Sequence, residues 1–195
     1  SKDPIHLNDI EPAMNDSLFW KKGDLFLSLK HRSIILHFRP SSNELVNIIR
    51  GPFFYQHDVD IISNKEISIF NNNYLNTFKY TNALKIIEDI NNSGVLIYNF
   101  EKKQFYEKFE EDFEKYSIQT ESEGLSEILN DGSMLVEEQN HGRILFFNKE
   151  GKIEWEYVNK ADNNKIYYVH WSRIIKNQQL MDDIKQKIQN TKCIN

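Results

Sequence analysis

The sequence predicts an all-β protein that forms part of a β-propeller with four-stranded antiparallel blades. Apolar and polar residues alternate along many short segments, as in residues 23–31, where Leu25, Leu27 and Leu29 share one face. Turn-forming residues separate these segments, for example Asn-Asp-Gly at residues 130–132. The segments also fall into groups of four, and a four-stranded unit repeated at intervals of roughly 40 to 60 residues is typical of propeller blades.

The predicted blades occupy residues 5–50, 57–109 and 124–159, and residues 165–176 are predicted to be the inner strand of a further blade. Propellers typically contain about 4 to 8 blades, so three to four blades do not close a ring. We therefore expect residues 1–195 to be a single domain that forms the C-terminal part of a larger propeller. A β-sandwich or a self-contained barrel is the alternative fold.

Helical periodicity is scarce in this sequence. Residues 82–90 and part of residues 109–116 are candidates for short helices. Near the C-terminus Leu180, Ile184 and Ile188 recur at helical spacing, which predicts a short C-terminal helix.

Composition and charge exclude several classes of function. The chain has 24 Lys and Arg against 29 Asp and Glu, a net charge of -5, so no basic field attracts nucleic acid. No apolar run approaches the roughly 18 residues of a membrane-spanning helix. The single cysteine, Cys193, cannot form an intramolecular disulfide. These features do not indicate the oligomeric state.

His57 is the first candidate functional residue. It lies between Gln56 and Asp58, where an aromatic stretch meets an alternating one, so we expect it at the entrance of a strand and facing a cavity. A structural histidine that is hydrogen-bonded at the end of a strand is one alternative. A metal site that combines His57 and Asp58 with His6 and Asp9 is another, but no pair of these has a dedicated ligand spacing. We therefore expect neither a metal nor a cofactor.

Two stretches of the sequence resemble the bacterial arylsulfate sulfotransferase family. Residues 6–8 and 27–31 are similar to the family's His-x-Asn segment and to the Ser-Arg-His strand that follows it. Residues 51–60 and 67–73 are similar to its Gln-His-Asp segment and its Phe-Asp-Asn strand. This similarity covers residues 5–75, and the later strands resemble the closing blades of an uncharacterised branch of the same superfamily.

The resemblance implies a six-bladed propeller that transfers a sulfuryl group from an aryl sulfate to a phenol. Transfer in that family passes through a sulfohistidine intermediate and needs no nucleotide sulfate donor. The family also suggests a periplasmic or extracytoplasmic location, which the sequence itself leaves unknown. A catalytically inactive propeller that binds a ligand or a protein partner is the alternative function, and a structural or assembly propeller is a third.

The resemblance assigns the candidate catalytic residues one by one. His57 matches the histidine that becomes sulfurylated, and His6 and Asn8 match the His-x-Asn pair, in which the asparagine binds sulfuryl oxygens or orients a neighbour. Lys30 stands where the family has its catalytic arginine. Lysine keeps the positive charge but lacks the planar fork that binds two oxygens at once. Arg32 would face the same way as Lys30 if the strand continues, and it could then substitute for the arginine.

The chemistry of sulfuryl transfer is consistent with these roles. The transition state should resemble that of phosphoryl transfer, with charge on peripheral oxygens that cationic donors stabilise. A neutral imidazole at His57 is a suitable nucleophile, and His6 could protonate the departing phenolate. A neighbouring carbonyl or carboxylate, for which Asp58 is the candidate, is expected to hold one ring nitrogen of His57 protonated.

Residues 170–173 are predicted to form part of the channel wall. His170 and Arg173 are assigned to substrate binding. The alternation of a strand would send His170 and Ser172 to one face and Trp171 and Arg173 to the other, so only one of these pairs is expected to face the channel.

Overall fold

The computed structural model of the protein describes residues 3–74, 92–162 and 164–191. Within these ranges the strands form three four-stranded antiparallel sheets. The predicted helix at residues 82–90 and the cysteine at position 193 lie outside the described residues.

Each sheet takes four consecutive strands of the chain. The first sheet contains β1 (Leu7–Pro12), β2 (Leu25–Leu29), β3 (Ile34–Arg39) and β4 (Glu44–Ile49). The second contains β5 (Val59–Ile61), β6 (Glu66–Asn71), β7 (Gly94–Asn99) and β8 (Gln104–Lys108). The third contains β9 (Leu125–Ile128), β10 (Met134–Glu138), β11 (Arg143–Phe147) and β12 (Ile153–Val158).

The strands of each sheet lie side by side in chain order, so each sheet is a simple meander. The all-β class and the grouping of strands into four-stranded antiparallel units are therefore confirmed. Short turns make this arrangement possible. The β2–β3, β3–β4 and β10–β11 connections each consist of a three-residue 3-10 turn followed by a residue in the left-handed region, at Ser33, Asn43 and Gly142.

The second sheet contributes to both hydrophobic cores of the described chain. In β6 the side chains of Ile67 and Ile69 join a core with Phe26 of the first sheet, while Phe70 joins a core with Phe147 of the third. Alternate residues of a strand point to opposite faces, so a strand with a core on each side is buried on both faces. This arrangement explains why residues 67–71 of β6 are all buried, the polar Ser68 and Asn71 included.

Two helices accompany the sheets. Helix α1 (Glu110–Lys115) lies within the stretch predicted from sequence and is anchored by the buried side chain of Phe113. Helix α2 (Gln178–Asn190) confirms the predicted C-terminal helix, and the Asn177 side chain caps it by accepting a hydrogen bond from the Leu180 N–H at 2.9 Å. In the described ranges, no helix has both the length and the apolar character that crossing a membrane requires.

Residues 165–176 do not form the predicted inner strand. The pairing found there is a single isolated bridge between Lys160 and Ile166, and residues 167–177 have no regular secondary structure. A strand exists only where a neighbouring strand takes its backbone hydrogen bonds, and none of the described strands does so for this segment. The segment is nevertheless held against the third sheet, because the backbone N–H groups of Ser172 and Ile174 donate hydrogen bonds to the carboxylates of Glu137 and Glu127.

A buried ion cluster holds the first sheet to the loop that precedes β2. The Asp24 carboxylate is 1% exposed and accepts hydrogen bonds from His37 Nε2 at 2.8 Å, from Arg39 Nε and Nη2 at 2.8 and 2.7 Å, and from the Lys21 N–H at 2.9 Å. Burial by itself would raise the pKa of Asp24, but the bonds from Arg39, Lys21 and His37 outweigh it and hold the pKa well below its usual range.

Asp24→Asn should destabilise the protein, because the partly buried Arg39 and the buried His37 lose the charge that pairs with them. We expect the free energy of unfolding at pH 7 to fall by about 3 kcal/mol. A depressed carboxylate pKa contributes stability above the unfolded value, near pH ~4, which is lost as the pH falls further, so the deficit should shrink in acid. Urea unfolding at several pH values measures this effect, with exposed Asp162→Asn as the control. Equal deficits in the two variants would contradict the assignment.

Candidate functional site

A cavity lies where the three sheets meet, at one end of their strands. In an antiparallel meander the start of the first strand and the end of the second strand lie at the same end of the sheet. At this end the first sheet contributes Asn8, the second contributes His57, and the third contributes Gly124 and Gln139. The cavity is narrow and partly open to solvent: about 20 Å³ of it is wide enough for water, within about 320 Å³ of space between the lining atoms.

Carboxylates on the first strands link each sheet to the next element along the chain. Each accepts a hydrogen bond from a backbone N–H of its neighbour. The bonds are Val59 N to Asp9 Oδ2 at 2.9 Å, Ser126 N to Asp58 Oδ2 at 3.0 Å, and Ile174 N to Glu127 Oε2 at 3.2 Å. Burial raises the pKa of both Asp9 and Asp58, and the charge of Arg173 opposes this shift.

His57 presents a neutral imidazole to the cavity. Its pKa is lowered to about 4, chiefly by burial and also by the positive charges of Lys30 and His6, while a hydrogen bond to the backbone of Gly124 acts in the opposite direction. The His57 backbone is itself fixed, because its N–H donates to the Phe70 carbonyl at 2.9 Å. A ring with one nitrogen held by a backbone acceptor keeps a lone pair on the other nitrogen.

The loop that holds this ring has an unusual backbone. Glu123 and Gly124 both adopt the left-handed conformation, with φ of +60° and +83°. A Cβ atom at Gly124 would lie 2.7 Å from the Phe70 ring and from the Thr120 side chain, so only glycine fits there. Asn72 stabilises the loop by donating its side-chain N–H groups to the carbonyls of Thr120 at 3.0 Å and Glu123 at 2.6 Å.

Lys30 and His6 lie close enough to His57 to act on its ring electrostatically. Lys30 is the first residue of the turn after β2, and its backbone N–H donates to the His6 carbonyl at 3.0 Å. The Lys30 side chain is 8% exposed; burial lowers its pKa, and the charge of Glu123 opposes this effect. Neither residue lines the cavity, but both act on His57 electrostatically.

His6 also belongs to a group that could hold a metal ion. Its Nδ1 lies 2.7 Å from Asp3 Oδ2, its ring stacks on His31 at 4.6 Å, and one potential ligand atom from each of these three residues lies within 4.8 Å of the others. The sequence suggested a different metal site, made of His6, Asp9 and residues 57–58. Among the described residues, the potential ligand atoms that lie close together are those of Asp3, His6 and His31.

The sequence-based argument for Arg32 is wrong. Strand β2 ends at Leu29, and Lys30–Arg32 form a 3-10 turn that ends at the left-handed Ser33, with φ of +49°. The turn reverses the chain, so Arg32 does not share a strand face with Lys30. Its side chain is exposed and is not among the residues that line the cavity.

The expectation that only one pair of residues 170–173 faces the channel is also wrong. His170, Trp171 and Arg173 all line the cavity, because this segment is not a strand and the left-handed Trp171, with φ of +58°, breaks the alternation. His170 Nδ1 lies 3.1 Å from a Glu123 carboxylate oxygen and 2.8 Å from Gln139 Nε2. The Arg173 guanidinium lies over the Trp171 ring, 5.3 Å from its centre.

Asn8 lines the cavity and donates its side-chain N–H to the Gln56 carbonyl at 2.9 Å, so it holds the peptide that precedes His57. The Asp58 carboxylate binds the Ser126 N–H, and the His57 ring bonds instead to the backbone of Gly124. Sequence reasoning missed Glu123, Gly124 and Gln139 as site residues. The only signal for them was a Glu-Gly dipeptide and a loop between strands, which indicate a turn and not a site.

Comparison with protein families identifies the family of this chain. Residues 1–160 match the family model described as Arylsulfotransferase (ASST). The chain belongs to the arylsulfotransferase family. The predicted resemblance is therefore confirmed.

Other comparisons are less informative about this arylsulfotransferase-family chain. No curated protein matches it. Among solved structures it is similar to a protein of unknown function from Bacteroides caccae, with 14% identity and a TM-score of 0.48. The similar region covers 73% of this chain and 47% of that protein, so the chain spans about half the length of that protein.

Lys30→Met should raise the pKa of His57 from its value of about 4, because it removes a positive charge that disfavours protonation of the ring. Imidazole NMR of the two proteins across a pH series measures the shift. Exposed Lys22→Met is the matched control and should leave the titration of His57 unchanged. A His57 ring that titrates near pH ~6.5 in the parent protein, as in an unperturbed histidine, would contradict the description of the site.

Proposed function

We propose that the protein transfers a sulfuryl group from an aryl sulfate to a phenol through a sulfohistidine intermediate at His57. One observation carries the proposal: in a chain of the arylsulfotransferase family, a neutral imidazole faces a cavity with a backbone partner on one ring nitrogen. Such an imidazole is a ready nucleophile at neutral pH, since no proton has to be removed before it attacks.

The first half-reaction forms the N–S bond and breaks the bond between sulfur and the donor oxygen. Negative charge then develops on the sulfuryl oxygens and on the departing phenolate. Lys30 and His6 supply positive charge close to His57, and we assign both to the sulfuryl end of the site. In the second half-reaction the acceptor oxygen attacks sulfur, and the electron pair of the N–S bond returns to His57.

The remaining site residues are proposed to position the substrate. Asn8 holds the peptide before His57, while His170 and Arg173 line the cavity in which the aryl group would lie. The Trp171 ring beside them offers an aromatic surface. Arg32 is not part of this proposal, because its side chain lies outside the cavity.

We also propose that the three sheets are blades of a larger propeller, in a single domain. The outer faces of the first and third sheets support this idea. Directly paired residues share a sheet face, and one such row crosses the first sheet as Ile10, Leu27, Leu36 and Ile48. On the third sheet Phe146 pairs with Trp155, which is 47% exposed. Apolar rows of this kind fit packing against further blades, with residues 165–176 leading into the next one.

An inactive propeller that binds an aryl sulfate or a protein partner is the second candidate. Lys30 in place of the family's arginine favours it, because a single ammonium cannot bind two sulfuryl oxygens in parallel. This candidate predicts binding of aryl sulfate in the cavity, measurable by calorimetry, without transfer of the sulfuryl group.

Incubation of the full-length protein with 4-nitrophenyl sulfate should add one sulfuryl group to His57. Quenching in alkali should preserve the N–S bond, and peptide mass spectrometry can then locate it. We expect the label to disappear when a phenol is added and to be absent from His57→Ala. Unimpaired transfer by His57→Ala, or a label only at other residues, would refute the proposed intermediate.

Lys30 variants test the charge at the sulfuryl end. Lys30→Ala should lower the rate of His57 labelling by about 100-fold, because an electrostatic donor to the transition state is lost. Lys30→Arg should retain or increase the rate, since guanidinium binds two oxygens. Lys22→Ala serves as the surface control. Equal rates for Lys30→Ala and the parent protein would remove Lys30 from the site.

A further inference from the structure

Two imidazoles and a carboxylate meet at the surface beside the start of β1. They belong to Asp3, His6 and His31, and one potential ligand atom from each lies within 4.8 Å of the others. His6 Nδ1 is 2.7 Å from Asp3 Oδ2, and His31 Nδ1 is 2.7 Å from the Asp3 carbonyl oxygen. The two imidazole rings stack with 4.6 Å between their centres. In the described part of the chain, this is the group of three such residues that could hold a metal ion.

Backbone hydrogen bonds hold the three residues together. The Lys30 N–H donates to the His6 carbonyl at 3.0 Å, and the His31 N–H donates to the Ile5 carbonyl at 3.2 Å. Asp3 Oδ1 accepts the His6 N–H at 2.8 Å, and His6 itself adopts a left-handed conformation with φ of +52°. This conformation is uncommon for a residue other than glycine. The segment before β1 is therefore fixed against the turn after β2, and this contact brings the side chains together.

The chemistry of these side chains suits a divalent transition metal. Hydrogen bonds from the backbone and side chain of His6 lower the pKa of Asp3, so its carboxylate is charged at neutral pH. With a charged Asp3, His6 Nδ1 is the donor, and a metal ion can replace this proton while the neutral ring carries its proton on Nε2. Zinc binds imidazole nitrogen and carboxylate oxygen, whereas magnesium and calcium prefer oxygen ligands.

Small side-chain rotations are enough to form a metal site here. Zinc bonds of about 2.0 to 2.2 Å at tetrahedral angles place the ligand atoms about 3.3 Å apart. This separation lies between the 2.7 Å of the His6–Asp3 contact and the 4.8 Å that bounds the whole group. The Asp3 and His6 side chains are 57% and 40% exposed, and His31 is also exposed, so all three can adjust. A fourth, tetrahedral position would be left for water.

We propose that Asp3, His6 and His31 bind one divalent transition-metal ion, for which Zn²⁺ fits best. The site is distinct from the cavity, because none of the three residues lines it. Since the group contains one carboxylate, a bound dication leaves positive charge at His6, where positive charge already acts on His57. The spacing of ligands along the sequence did not predict this site, because His31 comes from a different turn of the chain.

A pair of residues in the third sheet provides a matched control. Glu138 and His141 have the same spacing as Asp3 and His6, and His141 Nδ1 lies 2.8 Å from Glu138 Oε1. The His141 side chain is 50% exposed. Over residues 3–74, 92–162 and 164–191, no third ligand completes this pair. His141→Ala therefore removes an exposed histidine with a carboxylate partner, but not a three-ligand site.

Calorimetric titration of the full-length protein with Zn²⁺ tests the proposal, with Cys193→Ser in every variant to remove the one thiol of this chain. His31→Ala and Asp3→Asn should each weaken the binding of one Zn²⁺ by at least about 10-fold. Asp3→Asn keeps an acceptor for the His6 N–H, so it removes the charge without removing this bond. His141→Ala should bind like the parent, and excess Mg²⁺ should not compete.

Equal Zn²⁺ binding by the parent, His31→Ala and Asp3→Asn would overturn the proposal, and so would a parent protein that binds no Zn²⁺. A loss in His141→Ala as large as the loss in His31→Ala would also overturn it, because any exposed histidine would then account for the binding. The titration needs no sulfate donor. Its result is therefore independent of whether His57 carries a sulfuryl group.

Discussion

Carboxylates on the first strands hold the neighbouring elements by their backbone N–H groups, and the positions of the cavity residues depend on these bonds. Asp9 binds the start of the second sheet, and Asp58 binds the start of the third. A typical hydrogen bond contributes about 0.5 to 1.5 kcal/mol, and one to a charged acceptor contributes more. Side-chain packing between sheets tolerates some sliding, whereas a directed bond to one N–H fixes the register. His57, next to Asp58, is placed by the same bonds.

These links bring several carboxylates close together. Asp60, next along β5, has its pKa raised to about 6 by burial and by the charge of Asp9. Glu11 has its pKa raised to about 7, mainly by burial. The charge of Arg173 lowers the pKa of Asp9, Asp58 and Asp60, so the segment after the third sheet brings a counterion to the acidic strands. Arg173 therefore partly compensates the negative charge of these carboxylates, and it also lines the cavity.

Around His57 the neighbouring charges are positive, whereas those around Asp60 are mainly negative. A pKa lowered from 6.5 to about 4 corresponds to about 3 kcal/mol against protonation of the ring. Burial is the largest cause, and the Lys30 charge adds to it. The same positive charge that would stabilise sulfuryl oxygens thus also helps to keep the proposed nucleophile unprotonated. The Gly124 backbone works against this effect, but it fixes the ring and leaves one nitrogen with its lone pair.

Residues at one end of each of the three sheets form the site together, and no single strand provides it. Lys30 and Gln139 occupy the same place in their sheets, the first position of the turn after the second strand. One is a cation near His57, and the other is an amide that contacts the Gly124 N–H and the His170 ring. Equivalent turns therefore present different chemistry around one cavity, which is possible because each turn side chain is independent of the strand pairing.

The sequence by itself determined the strands, their grouping in fours, the C-terminal helix and His57 as the central candidate. Strand alternation and turn residues are local properties, so they can be recognised without the rest of the chain. Only the tertiary structure decided that Gly124, Glu123 and Gln139 surround His57, since they lie more than sixty positions away and one of them acts through its backbone, which no side-chain pattern reveals. It also decided that residues 165–176 run along the cavity without forming a strand. Alternation describes a segment, but a strand requires a partner that accepts its hydrogen bonds.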